Sequence, residues 1–484
     1  MRFNNVLLIS VSYKDGFYKG GDTPEAGLGY MAQILETNNI EYDVLDMNLG
    51  YDVHAVLERI QKFKPDLIGM GMKTFSYKRT YEIIKKIKKQ FPDAKILTGG
   101  SHLSVYQDAV LKQCKEIDFG VHREGEEVIK DLCLGKPFKN INGLMYRKGG
   151  KVIFNPSKPT IINLDEIPFP KYSKFELDKY WYPARYIISS RGCPERCTFC
   201  SVSTVLGRWW RARSPENVLE EISYWYERGW KRFEIIDDNF TLHKERAKKI
   251  CDLIIQRGMK VEMATPNGVR ADRVDKELLQ KMKDAGWVSV SYGVDGGNNK
   301  TLQSIKKGET MEQIDQSIKD AICVGLDVVL FFIICLPEEN VEDIEDSFKF
   351  ALKYPVKDVI FSITMPYPGT ELYDEMVKKK MLIDSPKEYM NSIDKKHNVP
   401  VIETDKLPVQ QQKIMLEKSK AIRSIVRKRY KIKLLRQRYG VPGKILSVLY
   451  QSNIVNDDLF ERINNTRKRI IHRTESRVPK TVKQ

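Results

Sequence analysis

The first 140 residues alternate short apolar runs with longer stretches in which apolar residues recur every three or four positions. Short apolar runs are typical of buried strands, and the longer period is typical of amphipathic helices. The predicted strands are 6–11, 42–46, 67–72 and 95–98, and the predicted helices are 28–38, 53–63 and 78–90. This order predicts an α/β domain with a doubly wound parallel sheet and helices on both faces. Ligands of such sheets bind beyond the carboxyl ends of the strands.

A second alternating series occupies residues 185–404. Residues 141–184, before it, are less regular, and we predict a linker there with one edge strand at 151–154 and a proline-marked end at 164–170. The strands predicted in the second series are 186–190, 233–237, 261–265, 288–293, 327–335 and 358–364, and the helices are 215–228, 244–257, 275–285, 311–323 and 341–353. Six such units predict a partial (βα)6 barrel of the TIM type, whose functional groups collect at the carboxyl ends of the strands.

Residues 405–484 form the third part, for which the sequence predicts basic helices. Val441-Pro442-Gly443 predicts a break before a short helix at 445–450, and 474–484 are predicted to be disordered. Residues 413–484 hold 20 lysines and arginines against five acidic residues, so they carry +15 of the formal net charge of +17. Three interpretations remain: a helical cap on the barrel, peripheral contact with an anionic membrane, and nucleic-acid binding.

Apolar segments and cysteine usage indicate a cytoplasmic protein without a transmembrane segment. The longest apolar run, 328–336, is shorter than the ~20 residues that cross a bilayer, and the run at 6–11 is too short for a signal peptide. Five of the eight cysteines are scattered in apolar contexts, and three fall within eight residues. This usage is typical of a reducing compartment with one metal site.

The three clustered cysteines are Cys193, Cys197 and Cys200, directly after a predicted strand. Thiolates select zinc or iron–sulfur centres. A structural zinc site needs four ligands, and no fourth cysteine or histidine lies at a suitable spacing, although a distant one remains an alternative. Three ligands on a four-iron cluster would leave one iron open for reaction.

The chain resembles the radical S-adenosylmethionine (SAM) enzymes, in the subgroup with a cobalamin (B12)-binding domain. The CxxxCxxC spacing, with Phe199 before the last cysteine, matches the signature of the superfamily. Further matching segments are Arg191-Gly192-Cys193-Pro194, Asp237-Asp238-Asn239-Phe240-Thr241, Asn267-Gly268-Val269-Arg270-Ala271-Asp272, Gly293-Val294-Asp295-Gly296-Gly297, Leu336-Pro337-Glu338-Glu339 and Pro366-Tyr367-Pro368-Gly369-Thr370. The chain departs from the pattern at Asp295, where the family usually has Glu, and at Cys335 and Glu338, which replace glycines.

The resemblance implies a [4Fe-4S] cluster on the three cysteines, SAM bound to its open iron, and a substrate radical made after one-electron reduction. The electron donor would be a protein such as flavodoxin or ferredoxin. By position, Asp238 and Asn239 are candidates to contact SAM at the end of the second barrel strand. Arg270 and Asp295 could reach SAM from the third and fourth strands, and the alternative for each is a salt bridge inside the barrel.

The resemblance also implies cobalamin binding by the N-terminal domain. Glycine-rich loops at Gly20-Gly21, Gly69-Met70-Gly71 and Gly99-Gly100 allow a close backbone approach to a bulky ligand. The residues implied at the cobalamin are Thr74, Phe75, Ser76, Gly99, Gly100, Ser101, His102, Glu124, Gly125 and Glu126. The DxHxxG motif that supplies a cobalt-binding histidine in other cobalamin proteins is absent, since the nearest text is Asp46-Met47-Asn48-Leu49-Gly50. His102 has a plainer alternative, a hydrogen-bonding role in its loop.

The function implied is methyl transfer to an unactivated carbon of a small-molecule substrate that is hydrophobic or lipid-like. Radical cyclisation, carbon–carbon coupling or rearrangement without methyl transfer is the main alternative. A methylthio-tRNA transferase is less expected, because the extra N-terminal cysteines of that group are missing. A non-enzymatic alternative is an iron–sulfur or corrinoid sensor with a basic docking tail.

Overall fold

The computed structural model describes residues 2–12, 22–156, 163–392 and 399–451. The loop Gly20-Gly21 and the segment 474–484, which was predicted to be disordered, lie outside the described residues.

Within the described residues, the first sheet has seven strands and is flanked by six helices. The strands are β1 Asn5–Ser10, β2 Glu41–Asp46, β3 Leu67–Gly71, β4 Lys95–Gly99, β5 Phe119–Val121, β6 Leu144–Lys148 and β7 Lys151–Phe154. The helices are α1 Ala26–Thr37, α2 Val53–Phe63, α3 Tyr77–Gln90, α4 Ser101–Tyr106, α5 Asp108–Gln113 and α6 Glu126–Cys133.

Strands β1 to β5 are parallel and lie in the order β2-β1-β3-β4-β5. Leu35 of α1 and Leu132 of α6 belong to the core on one face of this sheet. Ile60 of α2 and Ile84 of α3 belong to the core on the other face. The doubly wound sheet is therefore confirmed, and its topological switch point lies between β1 and β3.

Residues 141–184 contain more than the predicted linker. Strands β6 and β7 pair antiparallel with β5 and with each other, and they extend the first sheet. The edge position predicted for 151–154 is confirmed, because β7 ends the sheet. A domain boundary at 140 would divide one hydrogen-bonded sheet, so we propose that the N-terminal domain extends to about residue 156.

The second region begins with a partial barrel. Its strands are β8 Arg185–Ile187, β9 Ser190–Arg191, β10 Arg211–Ala212, β11 Arg232–Ile235, β12 Glu262–Val269, β13 Trp287–Gly293, β14 Asp327–Ile334 and β15 Asp358–Ile363. Its helices are α7 Val202–Val205, α8 Pro215–Glu227, α9 Lys244–Gln256, α10 Lys276–Asp284, α11 Asn299–Ser304, α12 Met311–Cys323, α13 Val341–Lys353, α14 Glu371–Lys378 and α15 Pro386–Tyr389.

Six of these strands form one parallel sheet in the order β8-β11-β12-β13-β14-β15. They correspond to the six strands that the sequence predicted for the barrel, except that β8 ends at Ile187 instead of 190 and β12 continues to Val269 instead of 265. The short strands β9 and β10 pair antiparallel in a separate ladder beyond the end of β8. This ladder closes the loop 192–210, which carries the three clustered cysteines.

One long helical segment, α16 Val409–Gln451, follows the barrel. Its buried side chains Leu416, Ile422 and Val426 join the barrel core, and Arg423 donates two hydrogen bonds to Asp358 at 2.9 and 2.7 Å. The amino-terminal half of α16 therefore supports the first of the three interpretations, a helical cap on the barrel.

The segment turns back on itself near the predicted break. The Arg436 Nε atom donates to the Ser447 hydroxyl at 3.1 Å, and the Lys428 ammonium lies 6.0 Å from the Tyr450 ring centroid. In a straight helix residues 428 and 450 would lie about 33 Å apart. This reversal lies between Arg436 and Ser447, a stretch that contains Val441-Pro442-Gly443. The backbone nevertheless stays helical through Pro442 to Gln451, so the separate helix predicted at 445–450 is not found.

Candidate active site

The clustered cysteines lie on the closed loop between β9 and β10, which we call the cysteine loop (192–210). It begins at Gly192, whose φ of +82° is left-handed. A Cβ atom there would collide with the Trp209 carbonyl oxygen, so only glycine fits. The Thr198 N–H donates to the Ile305 carbonyl at 3.0 Å and fixes the middle of the loop to the barrel.

The donor set on this loop fits an iron–sulfur cluster. All three thiols are half-buried and free of disulfides, and burial raises the pKa of each, that of Cys197 to about 11. Cluster iron binds thiolates, so its binding must displace these protons. Among the described residues no three cysteine, histidine or acidic side chains converge on one metal position. A four-iron cluster does not need such convergence, because each thiolate binds its own iron.

Three consecutive residues after β11 support the cysteine loop. Buried Asp237 accepts hydrogen bonds at 2.6 Å from the Ser189 N–H and from the hydroxyls of Ser189 and Ser190. Asp238 accepts from the Gly192 N–H at 2.9 Å, and burial raises its pKa to about 6. The Asn239 amide lies 3.6 Å from the Cys193 Sγ atom, and its buried Oδ1 has no hydrogen-bond partner. Asp238 and Asn239, which were predicted to contact SAM, therefore lie beside the cysteine loop.

Arg270 and Asp295 lie in a buried ion network, which is the alternative foreseen for both. Lys307 donates to Asp295 at 2.6 Å and lies 3.3 Å from Glu309. Arg270 lies 3.7 Å from Glu309 and 3.6 Å from Glu195 of the cysteine loop. Burial alone lowers the pKa of Lys307, but the charges of Asp295 and Glu309 raise it overall.

Lys307 and Glu309 were missed by the sequence reasoning. Both residues lie on the loop after α11. The sequence prediction considered residues that follow strands, such as Arg270, and therefore did not include them. The sequence did contain one indication of them: a buried Arg270 and a buried Asp295 each need a residue of opposite charge nearby.

A cavity of about 840 Å³ lies between the two α/β regions and is lined by residues of both. It lies at the switch point of the first sheet, since Leu8 of β1 and Gly69 of β3 line it, and Ile188 and Asp238 line it from the barrel. Of the residues predicted at a cofactor, those on its wall are Gly99, Gly100, Ser101, Glu124, Gly125, Glu126 and Asp238.

The backbone of the cavity wall suits a large flat ligand. A Cβ atom at Gly27 would meet nothing within 4 Å, and at Gly71 only a Glu25 carboxylate oxygen at 3.9 Å. Gly100, with φ of +112°, allows β4 to turn against the Met72 carbonyl. A wall of glycine backbone leaves the free space that a corrin ring requires.

Four of the residues predicted at the cobalamin are not on this wall. Thr74, Phe75 and Ser76 form a 3-10 turn after β3. His102 is buried, and its ring stacks on Tyr77 at 4.3 Å between centroids. Neither of its ring nitrogens has a hydrogen-bond partner, so the hydrogen-bonding alternative is not found either. Burial lowers the pKa of His102 to about 4, so the ring is neutral at pH 7.

Glu124 and Glu126 connect the two regions through ion pairs. Arg191, which precedes the cysteine loop, lies 2.9 Å from Glu124 and 2.7 Å from Glu126, and Arg211 of β10 lies 2.7 Å from Glu124. Burial alone raises the pKa of Glu124, but Arg211 and Arg191 lower it overall. These carboxylates therefore hold the cysteine loop against the N-terminal sheet.

Comparisons with known proteins agree with this arrangement. Residues 18–133 match the B12 binding domain, and residues 187–351 match the Radical SAM superfamily. An uncharacterized methyltransferase of Pyrococcus horikoshii is 34% identical over 375 residues, which are 75% of this chain and 81% of that protein. An anaerobic magnesium-protoporphyrin IX monomethyl ester cyclase of Rubrivivax gelatinosus is 29% identical over 401 residues, 78% of this chain and 71% of the cyclase.

One solved structure extends the likeness to the whole fold. The cobalamin-dependent SAM radical enzyme OxsB, with aqua-cobalamin and SAM bound, superposes with a TM-score of 0.67 at 19% identity, and the match covers 93% of this chain and 71% of OxsB. Two domain matches, a cysteine loop and a shared cavity thus lead to one assignment. The chain belongs to the radical SAM enzymes that carry a B12-binding domain.

Proposed function

We propose that this protein is a cobalamin-dependent radical SAM methyltransferase that acts on an unactivated carbon of a hydrophobic or lipid-like small molecule. The observation that carries this proposal is the cavity shared by the glycine loops of the first sheet and the strand ends beside the cysteine loop. The Pyrococcus relative and the match to both domains support the assignment.

The roles of the chain's own residues follow from the site. Cys193, Cys197 and Cys200 would hold the [4Fe-4S] cluster, and the loops around Gly71 and Gly100 would hold cobalamin. When bound, the cluster with SAM supplies hydrogen abstraction, and cobalamin supplies methyl transfer.

The cavity itself favours an apolar substrate. On the barrel side, opposite the loops assigned to cobalamin, its wall carries the aliphatic side chains of Ile188, Leu206 and Ile236. Such a wall excludes water, which protects reactive species and strengthens polar contacts within the site.

The test is anaerobic reconstitution with iron, sulfide and cobalamin, followed by reduction with dithionite in the presence of SAM. We expect methionine, 5′-deoxyadenosine and S-adenosylhomocysteine, and mass spectrometry of candidate apolar substrates should find a gain of one methyl group. The Cys197→Ala variant is the matched negative control. Reconstituted protein that forms none of the three SAM products would contradict the proposal.

Radical cyclisation is a second candidate, favoured by the similarity to the Rubrivivax cyclase. Cyclisation and methyl transfer can be distinguished by the products that are formed from SAM. Formation of 5′-deoxyadenosine with a substrate product, but without S-adenosylhomocysteine, would support cyclisation instead of methyl transfer.

Membrane contact through residues 413–484 is a separate proposal. No helix among the described residues is long and apolar enough to cross a membrane. Ile445 and Val448 support peripheral contact, because both are 59% exposed beside Lys444. We expect the full chain to sediment with anionic vesicles and the Ile445→Asp/Val448→Asp variant to sediment less; equal sedimentation of the two proteins would contradict the proposal.

A further inference from the structure

An exposed aromatic and basic patch lies on the cysteine loop itself. Trp209 is 68% exposed, the highest value among the large hydrophobic side chains that the structure describes. Arg196 and Arg208 are exposed on the same loop. We call these three residues the loop patch. Trp209 follows Arg208 in the chain, so this surface presents an apolar ring next to a cation.

The loop patch is joined to the cysteines by direct contacts. The Arg208 guanidinium donates to the Glu195 carbonyl at 2.9 Å, in the segment between Cys193 and Cys197. The Trp209 carbonyl lies against Gly192, the residue before Cys193. A protein seated on the loop patch would therefore lie next to the cluster ligands, where solvent already reaches Cys193 in part.

The charge of this surface is positive because its acidic side chain is neutralised. The Glu195 carboxylate pairs with Arg273 at 3.2 Å and with Arg270 at 3.6 Å. Arg196 and Arg208 remain exposed as cations, and they favour a partner with an acidic face.

From this placement we propose that Arg196, Arg208 and Trp209 form the docking surface for an acidic one-electron donor protein of the flavodoxin or ferredoxin class. The inference rests on the proposed function, since a cluster on the three cysteines is the group that such a donor would reduce. One electron passes from the donor's flavin or iron–sulfur centre to the cluster, so the donor is oxidised and the cluster reduced by one electron. No atom is transferred.

Size and composition of the loop patch agree with such a partner. Tryptophan and arginine are the residues most enriched in the centres of protein interfaces. Electron-transfer partners bind through small, transient interfaces, and long-range charge attraction raises their association rate.

The test compares two reductants on the reconstituted full chain, using an acidic bacterial flavodoxin as the protein donor. We expect Trp209→Ala to weaken flavodoxin binding about tenfold in calorimetry. Arg196→Glu should slow cluster reduction by flavodoxin hydroquinone severalfold at low salt, and less at high salt because ions screen the attraction. With dithionite, a small reductant that needs no docking surface, both variants should be reduced as fast as the parent protein.

Matched controls come from exposed residues on the opposite, amino-terminal side of the barrel strands. Trp181 is 60% exposed and precedes β8, and Arg257 is exposed after α9. Trp181→Ala and Arg257→Glu should bind flavodoxin like the parent.

Three outcomes would overturn the docking proposal. They are unchanged flavodoxin binding in both loop-patch variants, equal losses in the two controls, and an equal slowing with dithionite. Failure of the parent to cleave SAM with dithionite would count against the proposed function instead, and the binding measurement would still decide the docking surface.

Discussion

Glu339 is a buried carboxyl group at the start of α13, where its Oε2 atom accepts the Leu336 N–H at 2.9 Å and its Oε1 atom has no partner. Burial raises its pKa to about 8. The unfolded chain ionises this group near its ordinary pKa of 4.5, so the folded state binds the extra proton between about pH 4.5 and 8. The free energy of unfolding therefore falls as the pH rises through this window.

We predict that Glu339→Gln removes this dependence, because an amide imitates the protonated carboxyl. At pH 8 the variant should be more stable than the parent by on the order of 3 kcal/mol, and at pH 5 by much less. Thermal unfolding between pH 5 and 8 measures the difference. Glu338→Gln is the control, since Glu338 is half-exposed and pairs with Lys406. Parallel pH curves for Glu339→Gln and the parent would show the prediction to be wrong.

At the same scale, some residues of the candidate site could be predicted from the sequence and others could not, for a physical reason. The three cysteines and Asp238 could be predicted because their spacing and their place after a strand are local properties of the sequence. Lys307 was missed because its carbonyl meets Arg270 from 37 residues away in the chain. Long-range charge pairs of this kind depend on the packing of loops, which a single sequence does not reveal.

Among the elements, helix boundaries were predicted best where the chain caps them. Helices α12 and α13 match the predicted ranges 311–323 and 341–353, and both begin with a capping box, Thr310 with Gln313 and Asn340 with Asp343. Strand β5 was missed because its three residues are too short to show a period.

Helix α16 provides a test of the barrel cap. Val426 is 2% exposed in the barrel core, whereas its neighbour Ile425 is 43% exposed. Val426→Asp buries an unpaired charge and should lower the free energy of unfolding by about 3 kcal/mol or more. Ile425→Asp should change it by about 0.5 kcal/mol or less. Chemical denaturation measures both, and similar values for the two variants would argue against the cap.

For the whole molecule, the joint between the two α/β regions depends on Glu124. We predict that Glu124→Ala lowers the free energy of unfolding by about 3 kcal/mol, because it removes the carboxylate that pairs with both Arg191 and Arg211, whose side chains are only 9% exposed. Glu127→Ala, three residues away, removes only a half-exposed pair with Lys130 and should cost less than 1 kcal/mol. Calorimetry would also show whether the two regions begin to unfold separately. A small effect in Glu124→Ala would mean that the joint depends on apolar packing.

The shared cavity gives a second prediction for the whole molecule. Gly27 lines the cavity in the first turn of α1, and a Cβ atom there meets nothing. In Gly27→Phe, the phenylalanine ring should occupy the space that the corrin needs, because two groups cannot pack into the same volume. We expect cobalamin retention, measured by absorbance after gel filtration, to fall at least tenfold. Gly27→Ala should retain cobalamin like the parent, and iron content should be unchanged in both. Full retention by the phenylalanine variant would place cobalamin elsewhere.

The antiparallel ladder of β9 and β10 has a consequence for how the cluster is built. The cost in chain entropy of bringing the ends of a loop together grows with its length, and here the pairing of Ser190-Arg191 with Arg211-Ala212 supplies that closure from the protein fold alone. The ends of the cysteine loop are therefore joined by backbone hydrogen bonds as well as through the cysteines, which lowers the entropy cost that cluster binding would have to offset.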